Sequence, residues 1–310
     1  MTSKTLGIEE VATILAVSEQ TVNNWIMAGI VPMPSRIGGK PFRWHKDKFE
    51  KWLESFQKQS PTIQSLQERP PPAILMKPRP PRSIPAPTNL AGYSPQRDAD
   101  GFSWDGEAAA RAVDFFPKVL QHTEGPCAGK PFLLEKWQED YIATLFGWKR
   151  PDGTRRYRES MAAVPRKNGK SVLAAGIALY MLGSDGEEAG QVYSAAFSRD
   201  QASLVFAPAA RMVKASRALS KRFKVIDSTK RIVYPMANSF YRAIPAEAAN
   251  SHGFGASAVI FDELHTQTNR ELYDVLRSSQ GARRQPLFVS ITTAGHDRKS
   301  ICWEVWNLAR

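Results

Sequence analysis

The residues Ser160-Met161-Ala162-Ala163-Val164-Pro165-Arg166-Lys167-Asn168-Gly169-Lys170-Ser171 carry the strongest chemical signal in the sequence. An apolar run, a short loop closing in Gly-Lys-Ser, and the apolar stretch Val172–Tyr180 form the strand, loop and helix of a P-loop. In that arrangement the backbone amides of Arg166, Lys167, Asn168 and Gly169 and the helix N-terminus cradle phosphates. Lys170 reaches the β- and γ-phosphates of ATP, and Ser171 ligates Mg2+. The general pattern has glycine five residues before Gly169, where this chain has Val164. A turn that merely contains Gly-Lys-Ser is therefore the competing reading until partner groups are found.

Those partners follow about 90 residues downstream. Ala258-Val259-Ile260-Phe261-Asp262-Glu263 is an apolar run ending in two carboxylates, as expected of a buried parallel strand whose carboxyl end points into the ligand crevice. Asp262 would hold the magnesium through water and Glu263 would orient and deprotonate the attacking water. A further strand, Pro286 to Gly295, contains Thr292 and Thr293, which either sense the γ-phosphate or simply favour a strand as β-branched residues. Upstream, Phe132 to Ile142 begins an amphipathic helix. Its Gln138, with one acceptor and one amide donor, is a candidate reader of the adenine edge or an ordinary surface residue.

Those groups need a domain to position them. The chain has 310 residues, 42 Lys+Arg and 30 Asp+Glu, for a net charge of +12. That length suggests about two domains, and the charge fits an anionic partner such as nucleic acid. The excess is spread, with +2 over residues 1–60, +2 over 61–100 and +8 over 101–310. No apolar run approaches the roughly 18 residues of a membrane span, and Met1-Thr2-Ser3-Lys4 leads into Glu9 and Glu10 without a signal-peptide core, so a cytoplasmic protein is expected. Cys127 and Cys302 read as two buried thiols. Ten prolines between Pro61 and Pro95 mark a semi-rigid spacer or a polyproline docking site.

Before them, Ile8, Val11, Ala12 and Leu15 form one apolar helix face, and Ser18 caps a second helix with Val22, Trp25 and Ile26 inward. Ile30–Val31 and Phe42–Trp44 flank a Gly38-Gly39 turn, and Phe49, Trp52, Leu53 and Phe56 close the unit at helical spacing. This is a winged helix-turn-helix plan. Gln20, Thr21, Asn23 and Asn24 are placed to read bases, and Arg36, Lys40 and Arg43 on the wing to hold phosphate, unless the unit is a protein-interaction module.

Trp137-Gln138, the loop Pro165 to Ser171, the stretch Gly253 to His265 with its Asp-Glu-Leu-His end, and Ile291 to Gly295 resemble the ATPase domain of tailed-bacteriophage large terminase subunits over about residues 105–310. Residues 5–56 resemble excisionase and MerR-like domains and the DNA-recognition domain of small terminase subunits. The resemblance implies an ATP-driven motor that moves double-stranded DNA through a portal into a procapsid, forms a homo-oligomeric ring, and works with a small terminase subunit. It places Gln138 at the adenine, Arg166 at the γ-phosphate and Thr292-Thr293 in the coupling motif. Two departures stand out: the Arg-Gly that often supplies a trans-acting arginine is His252-Gly253 here, leaving Arg199, Arg283 and Arg284 as candidates, and the nuclease carboxylates of the family have no counterpart in these residues.

The expected fold is therefore α/β: an ASCE-type P-loop NTPase with a mainly parallel sheet flanked by helices over 105–310, a winged helix-turn-helix over 1–58, and a proline-rich linker over 59–104. A two-lobed helicase shares several of these motifs but needs a second similar lobe. A non-enzymatic DNA-binding protein has no physical use for intact Lys170, Ser171, Asp262 and Glu263 together.

Overall fold

The computed structural model describes residues 5–15, 17, 19, 22–23, 26, 31–32, 34–37, 40–59, 82–196, 198–245, 253–267, 270–293 and 297–308. The chain divides into two compact units, Met1–Pro80 and Pro81–Arg310.

In the first unit, β1 (Thr5–Leu6), α1 (Ile8–Ile14), β2 (Ser35–Ile37), β3 (Lys40–His45) and α2 (Lys46–Gln59) follow one another. The strands form an antiparallel sheet in the order β1-β3-β2. Leu6, Val11, Leu15, Val22, Ile26, Val31, Trp44 and Phe49 share one core. The wing differs from the sequence expectation. Ile37 pairs with Lys40 and Ser35 with Arg43, with a register shift between the two pairs, so the first wing strand is Ser35–Ile37, and Val31 is core instead of strand. The Trp44 indole is satisfied by Pro32 O at 2.7 Å, which ties wing to core.

The second unit is a helix–sheet–helix sandwich. After β4 (Ser103–Trp104) come α3 (Gly106–Val119), α4 (Lys136–Gly147), β5 (Trp148–Lys149), β6 (Glu159–Ala163), α5 (Lys170–Gly183), β7 (Gln191–Ala196), α6 (Arg199–Ala215), α7 (Arg217–Ser220), β8 (Lys224–Ile226), β9 (Arg231–Tyr234) and β10 (Ser239–Pro245). β11 (Ala258–Asp262), α8 (Glu271–Ser278), β12 (Leu287–Thr292) and α9 (Ile301–Leu308) complete it. The seven-stranded sheet runs β6-β12-β11-β7-β10-β9-β8, with the first five strands parallel and the last two antiparallel.

Every residue of β11 and β12 is buried, as expected for central strands covered on both faces. One face packs α3 to α6 and the other packs α8 and α9, giving two core clusters. α5 can lie flat on the sheet because Ala174, Ala175, Gly176 and Ala178 are small. A Cβ on Gly176 would run into the Phe116 ring, so even alanine there overpacks the α3–α5 contact, at a cost of about 1–3 kcal/mol.

Two further expectations differ from the structure. Residues 82–104, placed in the spacer, dock on the second unit: Ile84 N donates to Gly106 O, Trp104 Nε1 to Ile84 O at 2.7 Å, and Arg156 to Pro95 O and Asp98 O. The Arg156 guanidinium also lies over the rings of Phe102, Trp148 and Tyr157, so stacked rings and satisfied carbonyls hold a stretch that proline content alone reads as free chain. Cys127 is exposed, because its short 3-10 turn, Gly125–Cys127, lies in the surface loop between α3 and α4; Cys302 is buried. No helix among the described residues is long and apolar enough to cross a membrane.

Candidate active site

β6, β12 and β11 end level with one another. Thr292 pairs with Ala163, and Asp262 pairs with Ile291. The loop 164–169 leaves β6 at this edge, tied to β12 by Val164 N donating to Thr292 O at 2.9 Å. Lys167 (φ 69°) and Gly169 (φ 71°) both adopt left-handed backbone, the second capping α5. That conformation favours glycine and points successive amides to one side, as phosphate binding requires. Asn168 braces the loop, its Nδ2 donating to Pro165 O and Arg166 O.

The P-loop opens on a cavity of about 420 Å³ lined by Arg166, Lys167, Gly169, Lys170, Ser171, Asp262, Glu263 and His265. Lys170 is buried, and its Nζ donates to Glu263 Oε1 at 2.8 Å. Glu263 itself has left-handed backbone (φ 50°), which turns the chain off the end of β11 and sends its side chain back to the P-loop. Its Oε2 accepts from Thr293 N at 3.0 Å and Thr293 Oγ1 at 3.2 Å, and lies 3.2 Å from His265 Nδ1. Burial pushes the Glu263 carboxyl up, but the hydrogen bonds from Lys170 and Thr293 and the charges of Lys170 and His265 outweigh it, leaving the pKa below the ordinary value.

Asp262 stands differently. It is 2% exposed, its Oδ1 has no hydrogen-bond partner, and burial followed by the adjacent Glu263 charge raises its pKa to about 6 despite Lys170. A buried carboxylate oxygen without a donor is costly unless a cation meets it. With the Ser171 side chain lining the same cavity, this orphaned oxygen is a donor set that fits a hard divalent cation such as Mg2+.

Gln138 is buried beside the P-loop. Its Oε1 accepts from Glu135 N at 3.0 Å in a capping box, and its Nε2 lies 3.6 Å from where a Cβ on Gly169 would stand. The adenine-reading role expected of it uses both ends of the amide, and here one of the two acceptor lone pairs of Oε1 is taken by its own helix. A second cavity of about 810 Å³ runs along the outer edge of β6, lined by Trp137, Tyr141, Thr144, Tyr157 and Val164 among others.

Thr292 and Thr293 are both at the site, joined to His265, whose Nδ1 is 2.8 Å from Thr292 Oγ1. No role was read for His265 from the sequence, although it closes the Asp-Glu-Leu-His end that carries part of the family resemblance. Arg283 is committed elsewhere. It donates to Gly255 O and Ala189 O and meets Glu187, at the amino ends of β11 and β7, opposite the P-loop. Arg284 lies at that same end. The Arg199 side chain and His252 are outside the described residues, as are Gln20, Thr21 and Asn24 and the side chains of Arg36 and Lys40. Asn23 is exposed on its helical turn, and Arg43 on β3 lies 3.7 Å from Glu10.

Comparison with known proteins agrees with this geometry. The family model "Terminase large subunit, ATPase domain" matches residues 136–310, more than half of the chain, and "Helix-turn-helix domain" matches residues 5–57. The terminase large subunit of Enterobacteria phage HK97 is 31% identical over 186 residues, covering 59% of this chain and 36% of that protein. The crystal structure of the HK97 bacteriophage large terminase superposes with a TM-score of 0.56 at 28% identity, over 64% of this chain and 40% of that one. This chain therefore spans well under half the length of these relatives. With a parallel sheet that sets a P-loop beside an Asp-Glu strand end, and a family match across that whole region, the chain belongs to the terminase large subunit ATPase domain family.

Proposed function

We propose that this chain hydrolyses ATP to drive double-stranded DNA into a viral procapsid. The observation that carries the reading is the convergence of Lys170, Asp262 and Glu263 on the cavity beneath the P-loop. Phosphates entering that cavity draw Lys170 away from Glu263, because a polyphosphate offers more negative charge at closer range than one carboxylate. Glu263 Oε1, so released, takes a proton from water as the water oxygen bonds to the γ-phosphorus. The bond from that phosphorus to the bridging oxygen breaks, and ADP and phosphate result. Lys170, the loop amides and Arg166 neutralise the charge that develops. Mg2+ held by Ser171 and Asp262 supplies the remaining neutralisation when bound. Gln138 contributes its amide beside the loop, and Thr292 and Thr293 report the state of Glu263 to β12.

The partners follow from the same family. The motor docks on a portal, acts as a ring of identical subunits that contribute an arginine in trans, and cooperates with a small terminase subunit in the bacterial cytoplasm. The helix-turn-helix, through Gln20, Thr21, Asn23 and Asn24 and the wing residues Arg36, Lys40 and Arg43, holds packaging-site DNA. Exposed Arg217, Lys221, Arg222 and Lys224 offer a second, sequence-independent surface for phosphates.

The test is Mg2+-dependent phosphate release by the purified chain with and without double-stranded DNA, beside Lys170→Ala and Glu263→Ala. Hydrolysis that both substitutions abolish supports the motor. A wild-type chain that neither binds nor hydrolyses ATP refutes it. Removal of residues 1–60 should weaken DNA binding and spare basal hydrolysis; the reverse pattern would contradict the division of labour.

A further inference from the structure

The two oxygens of Glu263 have different surroundings. Oε1 meets Lys170 Nζ, whereas Oε2 meets Thr293 N, Thr293 Oγ1 and His265 Nδ1. His265 is itself held: its backbone N and its Nδ1 both approach Thr292 Oγ1, at 3.4 and 2.8 Å. The Thr292 hydroxyl directs its own proton to Thr293 O at 2.9 Å, so towards His265 it can only accept. With that proton engaged the ring nitrogen is the donor, which assigns the proton to Nδ1, and the same nitrogen stands 3.2 Å from Glu263 Oε2. Thr292 is completely buried at the end of β12, so this anchor does not depend on solvent.

We propose that His265 is a positioning residue for the hydrolytic reaction: it holds Glu263 by Oε2, so that Oε1 is presented to water once nucleotide has taken Lys170. The inference rests on the ATPase reading above and adds to it a division of labour between the carboxylate oxygens. Without His265, Oε2 keeps its Thr293 contacts but loses the support from the turn Leu264–Thr266, and the carboxylate is free to rotate about its terminal torsion. A misplacement of about 1 Å in such a base is worth roughly 100-fold in rate without any loss of ground-state binding. Asparagine at this position offers an amide N–H close to the place of Nδ1, which makes it the informative replacement.

The experiment compares the full chain with its His265→Ala and His265→Asn variants by steady-state ATP hydrolysis, equilibrium binding of a fluorescent ADP analogue, and thermal melting. The expected result is a kcat lowered roughly 10- to 100-fold in His265→Ala, with the dissociation constant for the analogue within about threefold of wild type, and most of the rate restored in His265→Asn. Wild-type turnover in His265→Ala overturns the inference. So does a rate in His265→Asn no better than in His265→Ala when the asparagine variant melts with the wild type, and that comparison stands even where the alanine variant is unfolded. A wild-type chain that shows no hydrolysis removes the functional reading and this one with it, whereas a hydrolysing wild type beside an equally fast His265→Ala removes only the role of His265.

Discussion

Lys170 Nζ and Glu263 Oε1 are 2.8 Å apart although 93 residues separate them in sequence, so the phosphate ligand and the hydrolytic base of the proposed reaction neutralise one another. Lys170 sits in the first turn of α5 and Glu263 one residue beyond β11, and the pair closes the floor of the P-loop cavity. The two substitutions at this contact should fail differently. Lys170→Ala removes a charge the phosphates need and should abolish nucleotide binding. Glu263→Gln keeps the shape and leaves Lys170 available, so nucleotide binding should persist or tighten while hydrolysis falls by about 10²- to 10⁴-fold. Nucleotide titration beside phosphate release separates these outcomes; equal loss of binding in both variants would show that Glu263 also shapes the empty site.

Asp262 should cost the empty protein stability. Its pKa is raised to about 6 from an unfolded value of 3.8, so between those values the folded state binds more protons than the unfolded chain, and stability falls as pH rises through that window. Below about pH 4 the group is neutral in both states and contributes no penalty. At pH 7 the penalty of the buried charge is on the order of 2–3 kcal/mol. Asp262→Asn should therefore raise the melting temperature at pH 7 without nucleotide or magnesium, raise it much less at pH 4.5, and abolish hydrolysis. A pH-independent gain in melting temperature would assign the effect to packing.

Much of this edge of the sheet was legible because buried parallel strands are written as continuous apolar runs, and each run ends where the chemistry begins: Phe261 before Asp262 and Ile291 before Thr292. Two things were not legible. The intercalation of β12 between β6 and β11 is what brings Thr293 to Glu263, and no local pattern in either strand encodes its neighbour. Likewise, prolines mark residues 82–104 as extended, which is correct locally, but whether an extended segment docks depends on Arg156, more than 50 residues away, and on its stacking with Trp148, Tyr157 and the segment's own Phe102. His265 was missed for the same reason, since its meaning lies in Thr292, 27 residues on.

Gln138 performs a structural task that limits its chemical one. The bond from Glu135 N to Gln138 Oε1 caps α4, so Gln138→Ala should cost about 1 kcal/mol of stability. While Oε1 stays oriented into this cap, the end of the amide that faces the P-loop is the Nε2 donor, and a donor meets acceptors on adenine and guanine alike. The affinities for ATP and GTP should therefore fall by the same factor in Gln138→Ala. Loss confined to ATP would mean that the side chain leaves its cap when nucleotide binds and reads the adenine edge with both ends.

Arg155 and Asp185 provide the stability-only counterpart to these site variants. The Arg155 side chain is 1% exposed. Its Nη1 and Nη2 meet the two Asp185 oxygens at 2.8 and 3.1 Å, Nη2 also donates to Gln285 O at 2.6 Å, and the guanidinium lies over the Phe146 ring. This fork joins the segment leading into β6, the residue two beyond α5, and the segment leading into β12, at the end of the sheet opposite the P-loop. Arg155→Ala leaves the Asp185 carboxylate buried without its partner and should cost about 3–5 kcal/mol, which for a unit of this size lowers the melting temperature by roughly 6–20 °C. Arg155→Lys should recover only part of the loss, because one ammonium cannot replace the planar fork. Replacing both partners by apolar residues, Arg155→Met with Asp185→Leu, should be far milder than Arg155→Ala. Below the melting transition all of these variants should retain wild-type kcat, as none of the groups involved lines the P-loop cavity; a variant that melts with the wild type yet turns over slowly would show that the two ends of the sheet are coupled.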